Sequence, residues 1–234
     1  MEAVKSAPGR GRRTPVQARS RRTVQQILDA TEAIVADAGV DAATTRAIAE
    51  RAGVAVPSLY RFFADRDEIL DTLLEAMLRD LDAHAERAER SFSGESIDEF
   101  IRLELELHAA FYEQHPSLAR LWFGGRVSPP VVELVRARNH ALARRAQRIL
   151  TSAGLLDPAT PEIVFDLIVE YGDRTLDIAF RGGPKAEREV IDTGRRALSA
   201  LAARWAPPAG GQARRDGAEA RTSKPSRRAQ AARA

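Results

Sequence analysis

The sequence predicts an all-α protein, a small three-helix unit followed by a larger helical bundle, about nine helices in total. Three observations carry this reading. Apolar residues recur at three- and four-residue spacing along most of the chain, giving each segment one buried face. No stretch sustains the apolar–polar alternation of a half-buried strand. Prolines open the periodic segments and glycines stand just past their ends, the asymmetry that helix termini favour.

Taken in order, Val24, Ile27, Leu28, Thr31, Ile34, Val35 and Ala38 form the face of a first helix, closed by Gly39. Two short helices follow within 44–63. Ile69, Leu70, Leu73, Leu74, Met77, Leu78 and Leu81 then stripe a helix from about Arg66 to Arg90, about 37 Å long at 1.5 Å per residue. Asp65 and Glu68 before it have the spacing of a capping box. A helix from Ile97 to Gln114 stops at Pro116, and a short one covers 117–123 before Gly124-Gly125. Pro130 opens a helix to Ser152, closed by Gly154. Pro161 opens another to Arg181, stopped by Gly182-Gly183-Pro184. The last runs from Lys185 to Trp205, ahead of Pro207-Pro208. The ends are too polar to offset chain entropy by burial. We therefore expect a disordered basic arm (1–19), a three-helix unit (20–66), a helical body (67–206) and a disordered basic tail (207–234).

The 234 residues contain no cysteine, which excludes a disulfide framework, a thiolate metal site and a cysteine nucleophile. No apolar run approaches the ~18 residues of a membrane span, and no apolar stretch follows the basic N-terminus as in a signal peptide. A cytoplasmic location with no membrane contact is the expectation. The net charge of +3 is unevenly spread: residues 1–66 carry +4, 207–234 carry +5 and the middle −6. A basic end on an acidic body points to nucleic-acid contact confined to the ends.

Residues 44–63 read TTRAIAERAGVAVPSLYRFF. Thr44 can cap a short helix. Ile48 and Ala52 share one side, and Ala49 is small where a second helix must cross. Gly53 stands where the chain must turn through positive φ. Val54 plugs the turn, Pro57 lies at the head of a second helix, and Leu59 and Phe63 point inward. Two short helices joined at a glycine are the helix-turn-helix pattern, whose second helix can enter a major groove.

Residues 20–75 resemble the DNA-binding domain of the TetR family of transcriptional regulators. The resemblance rests on Ile48-Ala49, Ala52-Gly53-Val54 and Leu59-Tyr60-Arg61-Phe62-Phe63, in order and without gaps. The chain departs from the family at Ala55 and Pro57, where serine and glycine are frequent. It departs again at Phe62, which lacks a hydroxyl. Ala55 cannot cap, so the second helix starts at Val56 or Pro57. Arg66 stands in place of the usual lysine.

The contacts expected with double-stranded DNA follow. Val56, Pro57 and Ser58 head the recognition helix and are candidates for base edges, Val56 for a thymine methyl; otherwise they only close a turn. Tyr60 suits a phosphate and Arg61 a guanine or a phosphate, the alternative being a solvated surface. Thr44, Thr45 and Arg46 lie at a helix N-terminus that suits a phosphate, as does Arg66. Arg21 and Arg22 are placed to follow the backbone, and Arg10, Arg12, Arg13 and Arg19 either join them or solubilise a tail.

In the body, Glu104 and His108 fall on an apolar face with Phe111 and Tyr112. Ionisable groups there line a ligand pocket, pair with each other, or reach solvent. Asn139 poses the same choice. Glu170, Tyr171 and Arg174 lie on or beside an acidic stripe (Glu162, Asp166, Glu170, Asp173, Asp177) that is either a solvated face or a pocket wall favouring cationic or amphipathic ligands. Trp122 and Phe123 are core or ligand shelf. His84, His108, His115 and His140 have no metal-ligand spacing, and no catalytic grouping or phosphate-cradling loop occurs, so no metal, no cofactor and no enzyme activity are expected.

The resemblance implies a homodimer, built from the last two helices of each subunit, that reads a palindromic operator and in most members represses until a small-molecule effector binds. Val190, Ile191, Gly194, Ala197, Leu198, Leu201 and Trp205 are the interface candidates, their small residues allowing close helix approach; otherwise their stripe packs within the chain. A ligand-independent dimeric DNA-binding regulator remains the alternative. An all-α enzyme with an incidental helical hairpin is the third reading.

Overall fold

A computed structural model describes residues 15–124 and 128–207. Among these the fold is entirely helical. The helices are α1 (Pro15–Ala38), α2 (Thr45–Ala52), α3 (Val56–Leu59), α4 (Arg66–Glu89), α5 (Ile97–Gln114), α6 (Pro116–Phe123), α7 (Pro129–Ser152), α8 (Glu162–Ala179) and α9 (Arg188–Ala203), with a 3-10 turn at Val40–Ala42. Residues 1–14 and 208–234 of the expected arm and tail, and Gly125, lie outside the described residues.

Helix α1 packs across α2 and α4. Ile27, Val35, Ile48, Leu59 and Ile69 are fully buried where these helices meet. One hydrophobic cluster runs on from there along α4, through Leu73, Leu74, Met77, Leu78 and Leu81, to α5, α6 and α9. A second, smaller cluster of Phe100, Ala143, Leu150, Leu156 and Phe165 joins α5, α7 and α8. Helix α6 also packs on α1, where Arg120 NH1 donates to the carbonyls of Val35 (2.8 Å) and Ala36 (2.7 Å). Those carbonyls lie in the last turn of α1, where a cation is favoured, and Val35 also accepts from the Gly39 N–H at 3.0 Å.

The differences from expectation are at helix ends. Helix α1 starts at Pro15, so residues 15–19 extend the helix rather than the arm. Proline is well suited to a first turn because its missing N–H would be unpaired there anyway. Helix α7 starts at Pro129 because Ser128 caps it, accepting from the Val131 N–H, while donating to Asp71 Oδ2 at 2.6 Å. Helix α9 is shorter than its apolar pattern. The segment before it is held instead by tertiary bonds, Ala186 N–H to Glu113 Oε1 (3.1 Å) and Glu187 N–H to the Ala179 carbonyl (2.9 Å).

Gly194 is where α9 crosses α8. A Cβ there would collide with the side chain of Thr175. Its smallness is therefore used within the subunit. Arg66 is likewise structural: its Nε donates to the Ala43 carbonyl at 2.8 Å and its NH2 to the Val40 carbonyl. This ties the head of α4 to the loop between α1 and α2.

Two variants test this packing by urea unfolding. Gly194→Val overpacks the α8–α9 crossing and lowers stability by about 1–3 kcal/mol. Arg66→Ala takes this donor from the Ala43 carbonyl and leaves Val40 only the Ala43 N–H, costing a comparable amount, about 1–3 kcal/mol.

Candidate nucleic-acid interface and internal cavity

The helix-turn-helix is built by local chemistry. Thr44 caps α2, its Oγ1 accepting from the Ala47 N–H at 3.2 Å. Gly53 ends α2 at φ 67°, ψ 32°, in the left-handed region where a side chain is strained. Ala55 precedes α3 without a side-chain cap, and α3 starts at Val56. Asp65 caps α4 by accepting from the Glu68 N–H at 2.9 Å, and the Glu68 carboxylate accepts from the Ala64 N–H.

This frame presents one polar face. Tyr60 is 51% exposed, and its hydroxyl reaches Thr45 Oγ1 at 3.5 Å, so the end of α3 meets the start of α2. Thr44, Arg46, Pro57 and Arg61 are exposed beside them, as are Arg21 and Arg22 on α1; Ser58 is half-buried. Arg46 and Arg61 have no ion-pair partner among the described residues. Arg51, by contrast, pairs with Asp37 at 3.0 Å. One expectation is corrected here. Arg66 has its guanidinium committed to Val40 and Ala43, leaving it a fastener rather than a phosphate ligand. Val56, half-buried like Thr45 and Ser58, packs partly on the core.

In the body, a partly open cavity of about 80 Å³ lies between α5, α7, α8 and α9, reached by the last residue of α4. Phe100, Ile101, Leu105, Leu142, Ile168, Val169 and Leu176 give it apolar walls. Glu89, Glu104, His108 and Asp173 are its ionisable groups. The His108 side chain is 9% exposed. Its Nδ1 lies 2.8 Å from the Glu104 carbonyl, which can only accept, so Nδ1 carries the proton and Nε2 is left as an acceptor. Burial, aided by the positive charge of Arg138, lowers the His108 pKa to about 4. Burial first, and then the neighbouring Glu89 carboxyl, push Glu104 up to about 8. Burial also raises Asp173, against the pull of Arg138 and an Asn139 hydrogen bond. Glu104 and His108 therefore face one another as neutral groups, not as an ion pair.

The remaining candidates for the pocket are dispersed. Phe111 and Tyr112 are core residues, Tyr112 edge-on to Phe123 and Phe180 at 5.2 and 5.6 Å. Trp122, Phe123, Asn139, Glu170 and Arg174 line a separate, shallower groove. Asn139 is buried and donates to Glu170 Oε1 (3.2 Å) and Asp173 Oδ2 (2.8 Å), making the wall between groove and cavity. Tyr171 is 53% exposed and lines neither.

Sequence reasoning missed Glu89, Arg138 and Arg145, although the signal was the one that singled out Glu104. Glu89 follows Leu81 and Ala85 at four-residue spacing on the apolar stripe of α4. Arg138 and Arg145 alternate with Val131, Val135 and Leu142 on that of α7. The acidic stripe of α8 is divided: Glu162 and Glu170 are exposed, and the other three acids are half-buried and paired. Asp166 meets Arg144 and His140, Asp173 meets Asn139, and Asp177 meets Arg174 and Arg181. Four large apolar residues of α8, Ile163, Leu167, Tyr171 and Ile178, are exposed as well. On α9, Ile191 and Leu198 are buried within the subunit, Val190, Gly194 and Leu201 are half-buried, and Ala197 and Trp205 are exposed. Ile191 and Leu198 thus pack within the chain rather than toward a partner.

Comparison with known proteins agrees with this architecture. Residues 27–73 match the family described as "Bacterial regulatory proteins, tetR family", and residues 96–201 match "Tetracyclin repressor-like, C-terminal domain". The HTH-type transcriptional repressor KstR of Mycolicibacterium smegmatis is 44% identical over 64 residues, 27% of this chain and 31% of that protein. The match thus spans under a third of that relative's length. A TetR-family transcriptional regulator from Streptomyces coelicolor superposes with a TM-score of 0.59 at 27% identity, covering 78% of this chain and 99% of that one. FadR from Bacillus subtilis, solved in complex with stearoyl-CoA, shares the fold at a TM-score of 0.58 and 18% identity, over 76% of this chain and 97% of its own. Among the described residues no helix is long and apolar enough to cross a membrane. With one match over the helix-turn-helix and another over the helical body, in the order the fold shows, the chain belongs to the TetR family of DNA-binding transcriptional regulators.

Proposed function

We propose that the protein is a cytoplasmic, dimeric repressor that binds a palindromic operator through α2 and α3 and leaves it when a small molecule fills the cavity. The observation that carries this reading is the course of α4. Its first residue is fastened to the helix-turn-helix by Arg66, and its last, Glu89, lines the cavity about 36 Å away. A ligand that shifts Glu89 tilts the same rigid rod on which the reading head rests. Switching from 99:1 bound to 99:1 free needs roughly 5.5 kcal/mol of differential affinity, within reach of apolar burial plus one or two polar contacts. The open cavity at Glu104 favours this over the ligand-independent alternative, which calls for a packed core there. The KstR match supports the repressor role, and the stearoyl-CoA complex of FadR shows that this fold can hold a ligand.

Dimerisation is assigned to the exposed stripe of Ile163, Leu167, Tyr171 and Ile178 on α8, with Ala197, Leu201 and Trp205 of α9 at its edge. Tyr60, Arg61, Thr45 and Arg46, with Pro57 and Ser58, are assigned to DNA, and Arg21 and Arg22 to the flanking backbone.

Selection from a random duplex pool in ~150 mM salt is expected to recover a palindrome with fixed half-site spacing. Failure to enrich any sequence would overturn the regulator reading for this protein. On that operator, Arg46→Ala and Arg61→Ala each lower the log–log salt slope by about 0.9 for every phosphate that is no longer neutralised, with melting unchanged. The double variant Ile163→Glu, Tyr171→Glu is expected to sediment as a folded monomer and to bind the operator at least tenfold more weakly. A dimer that survives it would place the interface elsewhere.

A further inference from the structure

We infer that the cavity takes a lipophilic ammonium ion, an apolar body carrying one N–H cation. The inference rests on the effector reading above and names the chemistry of that effector.

Charge balance is the first argument. Glu89 is already neutralised by Arg145, whose Nε lies 2.6 Å from Glu89 Oε2 and whose NH1 reaches Glu86 at 3.2 Å. Arg138 is matched by Asp82 at 2.7 Å. Glu104 and Asp173 remain, and neither has an arginine or lysine within ion-pair distance among the described residues. Both line the cavity, and no lysine or arginine does. The Glu104 Oε1 atom is buried with no hydrogen-bond partner. A bound cation balances Asp173 and the charge that Glu104 takes on when it gives up its proton, whereas an anion would find no lysine or arginine on the cavity wall.

Hydrogen-bond polarity is the second. The Asp173 carboxylate and His108 Nε2 are acceptors, Glu104 becomes one when it loses its proton, and the buried His108 ring has no other partner at Nε2 among the described residues. The wall therefore asks its ligand for donors. The remaining lining, from Phe100 to Leu176, asks for an apolar body, and the Phe100 ring can also face a cation.

Binding is coupled to one proton. The charged groups facing Glu104 are Glu89 from α4, Arg138 and Arg145 from α7, and Asp173 from α8. His108 on its own helix is neutral, and α9 brings the apolar Leu198. In the empty cavity Glu104 keeps its proton until about pH 8. An ammonium ion stabilises the carboxylate, so binding below that pH sends the proton to solvent. Affinity then rises by up to about tenfold per pH unit from pH 6 to 8 and levels off above.

The test is calorimetric titration of the full chain and of Glu104→Gln with octylamine, octan-1-ol and octanoate from pH 6 to 9, where the amine stays protonated. The amide copies the neutral carboxyl, so Glu104→Gln folds, which its melting temperature checks. Octylamine is expected to bind at least tenfold more tightly than the alcohol or the carboxylate, with the stated pH dependence. Glu104→Gln should weaken it tenfold or more and abolish that dependence. The proposal is overturned if octylamine fails to bind, if octanoate or octanol binds as well, or if pH and Glu104→Gln make no difference. Operator release in the same samples separates the two readings. Glu104-dependent binding of octylamine that leaves the DNA complex intact supports the cation site and overturns the effector role. Release by octanoate or octanol alone does the reverse.

Discussion

Helix α4 is pinned at both ends by arginines that do not belong to its own apolar stripe. At its head Arg66 gives its N–H groups to the Val40 and Ala43 carbonyls. At its tail Glu89 is held by Arg145 of α7. Between them the buried leucines of α4 form the spine of a core that runs from the helix-turn-helix into the body. A helix exposed on all sides would bend with each fluctuation of its neighbours. One buried along its length and fixed at its ends transmits displacement instead of absorbing it. The position of the reading head and the shape of the cavity both follow from that constraint.

The helix-turn-helix is legible in the sequence because each of its requirements is local. Thr44 caps three residues ahead, Gly53 supplies one dihedral, and Asp65 and Glu68 satisfy neighbouring donors. Such features are decided within a few residues, so spacing reveals them. The role of Arg66 is hidden because its partners are 23 and 26 residues away, and nothing in its neighbourhood announces them.

The body is legible as helices but not as a site. Periodicity says that a helix has two faces; it does not say what meets each of them. The acids of α8 read as a solvated stripe because charge on a helix usually meets water. Here Asp166 and Asp173 meet Arg144, His140 and Asn139 of α7, Asp177 meets Arg174 of its own helix, and Ile163, Leu167, Tyr171 and Ile178 lie outward beside the exposed Glu162 and Glu170. The cavity likewise arises from five helices, and only its Glu104 and His108, four residues apart on one of them, are adjacent enough to be noticed together.

The grip of Arg120 on the last turn of α1 has a geometric consequence. A rigid body attached at one point can turn about three axes; attached at two, it can turn only about the line that joins them. The helix-turn-helix is attached to the body through α4 and, separately, through Arg120 of α6. Ser117 of α6 adds a further attachment, donating to Glu32 Oε1 at 3.3 Å, and the core is continuous across the junction, so the reading head is held at more than two points. A signal from the body therefore reaches the DNA-facing surface only by moving these attachments together.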